Sequence, residues 1–154
     1  MALSQGYYTP AQIDSLITHV FGVDTQLIID GTYFVIERGG RLQACGGWSA
    51  RRTLFGGDQA KAGGDPSLDP QRDPARVRAF FVHPASARLG LGRALLRHCE
   101  EAARAAGFRR TELMATLPGE PLYRAFGYEA LESVMYRLPD GQGVGFVRMG
   151  RDLI

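Results

Sequence analysis

Val77-Arg78-Ala79-Phe80-Phe81-Val82-His83-Pro84, followed closely by Ala87-Arg88-Leu89-Gly90-Leu91-Gly92-Arg93-Ala94-Leu95-Leu96, reads as a strand, a glycine turn and a helix in succession. Val77 to Val82 is a near-continuous apolar run of strand length. Arg78 interrupts it, which predicts a wet face on the early part of the strand. His83-Pro84 ends it, because proline cannot donate to a strand ladder. A glycine-bearing turn comes next, and then the clearest helix in the chain. Leu95, Cys99, Ala102 and Ala106 form one stripe, with Leu96 and Ala103 beside it, and Gly107 is the natural C-terminal stop.

Strand, glycine turn, helix is a recurring anion-binding arrangement. The first helical turn has unpaired N–H groups, and the helix dipole places partial positive charge there. Gly90 and Gly92 remove Cβ atoms where a phosphate must approach the backbone, and Arg88 and Arg93 flank the turn as charged donors. On Gly-x-Gly alone, a tight connection from strand to helix is the simpler explanation. The rival phosphate motifs fail on inspection. A dinucleotide fingerprint needs a third glycine where Leu95 stands, and a Walker loop needs Lys-Ser/Thr where Arg93-Ala94 stands.

Working outward, Thr9-Pro10-Ala11-Gln12 is a helix start with the spacing of a capping box. Ile13, Leu16, Ile17 and Val20 give that helix one apolar face, and Gly22 closes it. A short second helical segment falls near Asp24 to Ile28. Tyr33-Phe34-Val35-Ile36, the turn Gly39-Gly40 and the return strand Arg41 to Trp48 form a hairpin. Downstream, Thr111 to Thr116 is a strand and Glu120 to Phe126 a short helix closed by Gly127. Tyr128 to Arg137 and Val144 to Met149 are a last pair of strands around Pro139-Asp140-Gly141. The pattern breaks down from about 51 to 74, a stretch rich in glycine and proline. It is either a surface insertion or a lid or acceptor-binding loop.

The chain has 154 residues, which suits one domain. With 45% apolar and 22% charged residues it is not disordered as a whole. The net charge of +2, with no block of like charges, speaks against nucleic acid as a partner. No apolar run is long enough to span a membrane, and the N-terminus has no basic flank or long apolar core. Cys45 and Cys99 give neither metal spacing nor a disulfide framework, so reduced thiols, a cytoplasmic location and no metal are expected. Cys99 belongs to a helix's apolar face and Cys45 has no activating partner. The expected fold is a single α/β domain over 1–154, with a long loop insertion at about 51–74. Its central sheet is mixed and mostly antiparallel, with helices on both faces.

Val82-His83-Pro84, then Arg88-Leu89-Gly90-Leu91-Gly92-Arg93-Ala94-Leu95-Leu96, then Leu122-Tyr123-Arg124-Ala125-Phe126-Gly127-Tyr128, resembles the GNAT acyltransferase superfamily. The resemblance is most specific over residues 76–128, and the flanking elements stand in compatible order. It implies that the strand before the glycine turn splays from its neighbour, with the pantetheine arm of coenzyme A in the gap. Phe80, Phe81 and Val82 would then offer backbone groups to pantetheine and to the thioester oxygen. Arg88, Leu89, Gly90, Leu91, Gly92 and Arg93 would hold the pyrophosphate through main-chain N–H groups. The family usually has Gln or Arg where Ala87 stands, with Arg88 next to it as a substitute. Its frequent asparagine after the following strand is replaced here by Thr116 or its neighbours, and Thr116 would be the residue to take that cofactor contact.

By the same resemblance Tyr123 is the general acid that protonates the departing thiolate, a role that suits a phenol beside developing negative charge. The competing explanation is an amphipathic side chain packed on the sheet. For the base, Glu112 and Glu120 are the candidates. Glu112 stands one residue from the aligned position, Thr111, and a shift of one turns a side chain to the other sheet face. His83, before a proline, has a structural explanation. Trp48, Arg51, Arg52 and Phe55 could frame an acceptor site, but packing and solvated charge explain them more simply. The implied activity is acetyl transfer from acetyl-CoA to a primary amine, small-molecule or peptide, by direct attack in a ternary complex. Sheet-edge homodimers are also implied. The alternatives are a regulatory module that binds coenzyme A without turnover and, less in keeping with the charge, a nucleic-acid-binding domain.

Overall fold

Thr9 opens the first helix with the expected reciprocal bonds: its hydroxyl oxygen accepts the Gln12 N–H, and the Gln12 side chain accepts the Thr9 N–H. The structure is a computed structural model that describes residues 6–20, 24–54, 65–86 and 90–153. Its elements are α1 (Pro10–His19), α2 (Thr25–Asp30), β1 (Tyr33–Arg38), β2 (Arg41–Ser49), β3 (Ala75–Val82), α3 (Leu91–Ala105), β4 (Arg110–Thr116), α4 (Glu120–Ala125), β5 (Glu129–Arg137) and β6 (Gly143–Asp152). Gly22, expected to close α1, lies outside the described residues.

The strands form one sheet in the order β1-β2-β3-β4-β6-β5. Every neighbouring pair is antiparallel except β3 and β4, which run parallel. The hairpin between β1 and β2 turns at Gly39 and Gly40, both with positive φ (59° and 75°), the backbone a two-residue primed turn demands. Alternation along β4 sorts the two faces. Leu113 and Ala115 pack with Leu96 of α3, and Tyr123 and Phe126 join them from α4 and the turn after it. Met114, between them in sequence, packs on the opposite face with Leu16, Val144 and Phe146. So α3 and α4 cover one face and α1 covers the other, joined there by α2, whose Leu27 rests against Gly47 of β2. This is the mixed sheet with helices on both faces that the sequence predicts.

Two expectations need correction. Arg78 has no wet face: the residue is buried, among carboxylates described below. Nor is the stretch from 51 to 74 without structure over its described parts. Arg51 bridges Ser67, the Arg52 N–H donates to the Pro66 carbonyl, and the Leu68 N–H donates to the Ala50 carbonyl. Leu68 is buried with Trp48 and Phe108. The proline and glycine content hides these extended pairings from a reading that looks for alternating apolar residues.

Candidate active site

The parallel pair is short. β3 and β4 are joined at Ala75↔Thr111, Arg76↔Glu112 and Val77↔Leu113. Past that point β3 stays on β2 as far as Val82, and β4 stays on β6 as far as Thr116. The sheet therefore forks, leaving the facing edges of 78–82 and 114–116 without each other as partners. A bulge in β3 begins there. Ala79 has φ 60°, a left-handed value rare for a residue with a side chain, opposite a register shift between Cys45 and Gly47 of β2. The ring of Phe80 then lies on Gly46.

The start of α3 stands at the mouth of this fork. Gly90 caps the helix with φ 78° and no side-chain hydrogen bond to the first turn. Gly90 is exposed, and a Cβ there would meet nothing within 4 Å. A Cβ at Gly92 would meet only Leu122 and Val82, at 3.7 and 3.8 Å, which are ordinary contacts. The fold itself does not require a glycine at 92. A backbone that must be approached by a ligand does, so the residues present fit a phosphate-bearing group. Arg93 is exposed and its guanidinium sits 4.8 Å from the centre of the Phe126 ring. Arg88 and Leu89, expected in the same cradle, lie outside the described residues.

Tyr123 reaches the fork from α4. Its ring is half-buried against the cluster of Val77, Leu96 and Leu113, on which Phe80 also packs, and meets Tyr128 edge-on at 6.0 Å. Among the described residues its hydroxyl makes no hydrogen bond. Burial raises its pKa, so the phenol keeps its proton throughout the neutral range. Tyr128 differs: its hydroxyl shares a 2.8 Å hydrogen bond with Thr111.

The two carboxylates are not brought to Tyr123 in the same way. Glu112 sits at the closed end of the fork, on the sheet face opposite Leu113, with Oε2 3.0 Å from both Arg76 and Arg148. Glu120 is on α4 with Tyr123, but its carboxylate is bonded to Arg124 one turn on. Thr116 ends β4, and its hydroxyl oxygen accepts the Gly119 N–H, shaping the turn into α4. His83 also serves a turn: its Nδ1 accepts the Ala85 N–H. Trp48 is buried in the core and Arg51 grips Asp30, while Phe55 is outside the described residues. Burial pushes the Cys99 thiol up to about 12, which suits a core side chain. Among the described residues no group of three His, Cys, Asp or Glu could hold a metal ion, and no helix is long and apolar enough to cross a membrane.

Sequence reasoning missed two contributors. Arg78 is one; an arginine inside an apolar run must be either wet or paired, and the run itself holds no carboxylate to point to a partner. Tyr8 is the other. Its hydroxyl donates to the Gly145 carbonyl and accepts the Leu117 N–H, both at 2.9 Å, tying the end of β4 to β6 and so fixing one arm of the fork.

A forked sheet with a glycine-led helix start at its mouth is the arrangement that the sequence resemblance implies. The chain belongs to the Acetyltransferase (GNAT) family, whose model matches residues 7–128, and is thus an acyltransferase. Among solved structures it resembles a ribosomal-protein-alanine N-acetyltransferase from Brucella melitensis (TM-score 0.61, 17% identity, 83% of this chain and 73% of that one). It also resembles yncA from Salmonella typhimurium, solved with its cofactor acetyl-CoA (TM-score 0.60, 19% identity, 84% and 69%). A third is an aminoglycoside 6'-N-acetyltransferase complexed with coenzyme A (TM-score 0.59, 9% identity, 84% and 77%). At these identities the likeness is one of fold. No curated protein matches the sequence significantly.

Proposed function

We propose that the protein transfers an acetyl group from acetyl-CoA to a primary amine, by direct attack of the amine while both substrates are bound. The observation that carries this reading is the parting of β3 from β4 beyond the Val77↔Leu113 pair, with the glycine start of α3 beside it. Acetyl-CoA brings the acyl group as a thioester. The backbone of Phe80, Phe81 and Val82 holds the pantetheine arm, and N–H groups there stabilise charge on the reacting carbonyl oxygen. The helix start from Gly90 to Arg93 holds the pyrophosphate. Tyr123 donates its proton to the leaving thiolate, a role supported by its retained proton and by a hydroxyl that makes no hydrogen bond among the described residues. Holding the two reactants together supplies much of the rate.

The amine, with an ordinary pKa of about 10, must lose a proton before attack. Glu112 lies on the wrong face and is engaged by two arginines, so water takes that proton, with Glu120 the only carboxylate of the two on the Tyr123 helix. The test is thiol release from acetyl-CoA across an amine panel. By their names, the neighbours include one acting on a ribosomal protein and one on an aminoglycoside, so the panel needs peptide N-termini and aminosugars as well as polyamines. Turnover with one class supports the proposal. Tight acetyl-CoA binding with no turnover on any amine would replace it with a cofactor-sensing module.

A further inference from the structure

Arg78 occupies the vertex of the fork. Val77 is the last residue of β3 paired with β4, Arg78 is the next, and Ala79 with its left-handed backbone follows. The Arg78 side chain is 1% exposed, and so are its partners nearly, Asp24 at 0% and Asp65 at 5%. Nη1 donates to the Thr53 carbonyl at 2.6 Å, Nη2 donates to Asp65 Oδ2 at 3.0 Å, and Nε stands 3.0 Å from Asp24 Oδ2. The partners come from separate parts of the chain: the residue before α2, and the segments on either side of residues 55–64. Asp65 is itself fixed, since its Oδ1 accepts the Thr53 N–H at 2.7 Å.

Stability is a weak reason for such a cluster. Apolar side chains of similar volume serve a core as well or better, because the desolvation of buried charges offsets their attraction. Three partners around one planar guanidinium do define a position sharply. On the other sheet face Phe80 is pressed on Gly46. The strained residue between them, Ala79, is thus gripped from both sides, and strain of this kind persists only where the surroundings over-determine it.

We infer that Arg78 is a positioning residue for acyl transfer: by anchoring β3 at the vertex of the fork to Asp24, Thr53 and Asp65, it sets the bend at Ala79 and hence the direction in which the backbone that follows, from Phe80 on, faces the acyl group. The inference rests on the proposed reading, in which the edge of β3 that has parted from β4 receives the thioester.

Two variants test it. Arg78→Lys keeps the charge but lacks the planar fork that donates to Thr53 and Asp65 while facing Asp24. Arg78→Met combined with Asp24→Asn and Asp65→Asn leaves no buried charge unpaired. Each is compared with wild type for thermal midpoint, acetyl-CoA affinity by calorimetry, and kcat and KM on an amine the wild type accepts. In folded protein of either variant, kcat should fall by about 10- to 100-fold while acetyl-CoA affinity changes by less than about threefold, as expected when reacting atoms are misplaced rather than released. A folded variant with wild-type kcat overturns the inference. If wild type turns over no amine, the acyl-transfer reading fails instead, and the anchor is then judged by amide exchange. Saturating acetyl-CoA should protect residues 79–82 less in Arg78→Lys than in wild type; equal protection in both overturns it.

Discussion

The ring of Phe80 occupies the space that a side chain at Gly46 would need: a Cβ there would come within 2.4 Å of Phe80 Cδ2 and 2.8 Å of Cγ. A whole ring edge, not a flexible tip, blocks the position. Gly46→Ala should therefore cost about 1–3 kcal/mol, the usual range for overpacking. Because Phe80 follows the bulge, the same change should also weaken acetyl-CoA binding. Chemical denaturation and calorimetry check the two effects; a variant as stable as wild type would contradict the packing described.

Gly92 makes the opposite case. The fold has room for a methyl group there, and alanine is the better helix former. Gly92→Ala should leave the thermal midpoint unchanged or raised, yet lower acetyl-CoA affinity by roughly 10- to 100-fold, the worth of one charge-assisted hydrogen bond. A loss of stability with affinity intact would mean that the glycine serves the turn alone.

Tyr123 loses no hydrogen bond among the described residues when its hydroxyl is removed. Tyr123→Phe should keep stability and acetyl-CoA affinity and lose roughly 100- to 10,000-fold in kcat, the span of general acid catalysis. Steady-state kinetics beside calorimetry separates these quantities. Full turnover in the variant would take Tyr123 out of the mechanism.

Glu112 should behave in reverse. Glu112→Gln breaks its contacts with Arg76 and Arg148, so stability should fall by about 1–3 kcal/mol. Measured on folded protein, kcat should stay within about threefold of wild type, well short of the loss expected for a general base. A large kcat loss with little change in stability would restore Glu112 as the base.

Acid should loosen the segments around the fork. The Arg51 guanidinium holds the Asp30 carboxyl below its usual range. Burial pushes Asp65 up, but the Thr53 N–H and hydroxyl and the Arg78 guanidinium outweigh it, so Asp65 is also held low. Both folded values lie below the unfolded ones. Their stabilisation is complete above about pH 4 and drains away as pH falls through the folded values. Denaturation midpoints from pH 7 to 3 should decline in wild type and decline less steeply in Asp65→Asn, which starts lower. Parallel curves would count against this assignment.

How far the sequence carried depends on the range of each interaction. The capping box of Thr9 and Gln12, the Gly39-Gly40 turn and the stripe of Leu95 and Cys99 are local, and all are where the pattern places them. The parity argument about Glu112 also reads directly, since its neighbours Thr111 and Leu113 are buried on the face that Glu112 does not share. What stayed hidden depends on contacts between distant parts of the chain. Arg78 and Asp65 are 13 residues apart with a glycine-rich stretch between, and Tyr8 meets Leu117 across 109 residues. Neither pairing leaves a periodic trace. The exchange of β5 and β6, which puts the later strand inside the earlier one, is equally invisible to local pattern.

The short parallel seam has a consequence for how the molecule is assembled. β1 to β3 come wholly from the first part of the chain and β4 to β6 wholly from the last, so the seam coincides with a division along the sequence. Besides that seam, α1 crosses over, carrying Leu16 and Val20 onto Val144 and Phe146 of the later half. Each half closes through its own near-neighbour hairpin, and the join between them waits on long-range encounter. A chain severed in the exposed turn at Gly107 should thus yield two pieces able to find each other again, held by α1 and by the apolar clusters that join Leu96 to Leu113 and Trp48 to Phe108.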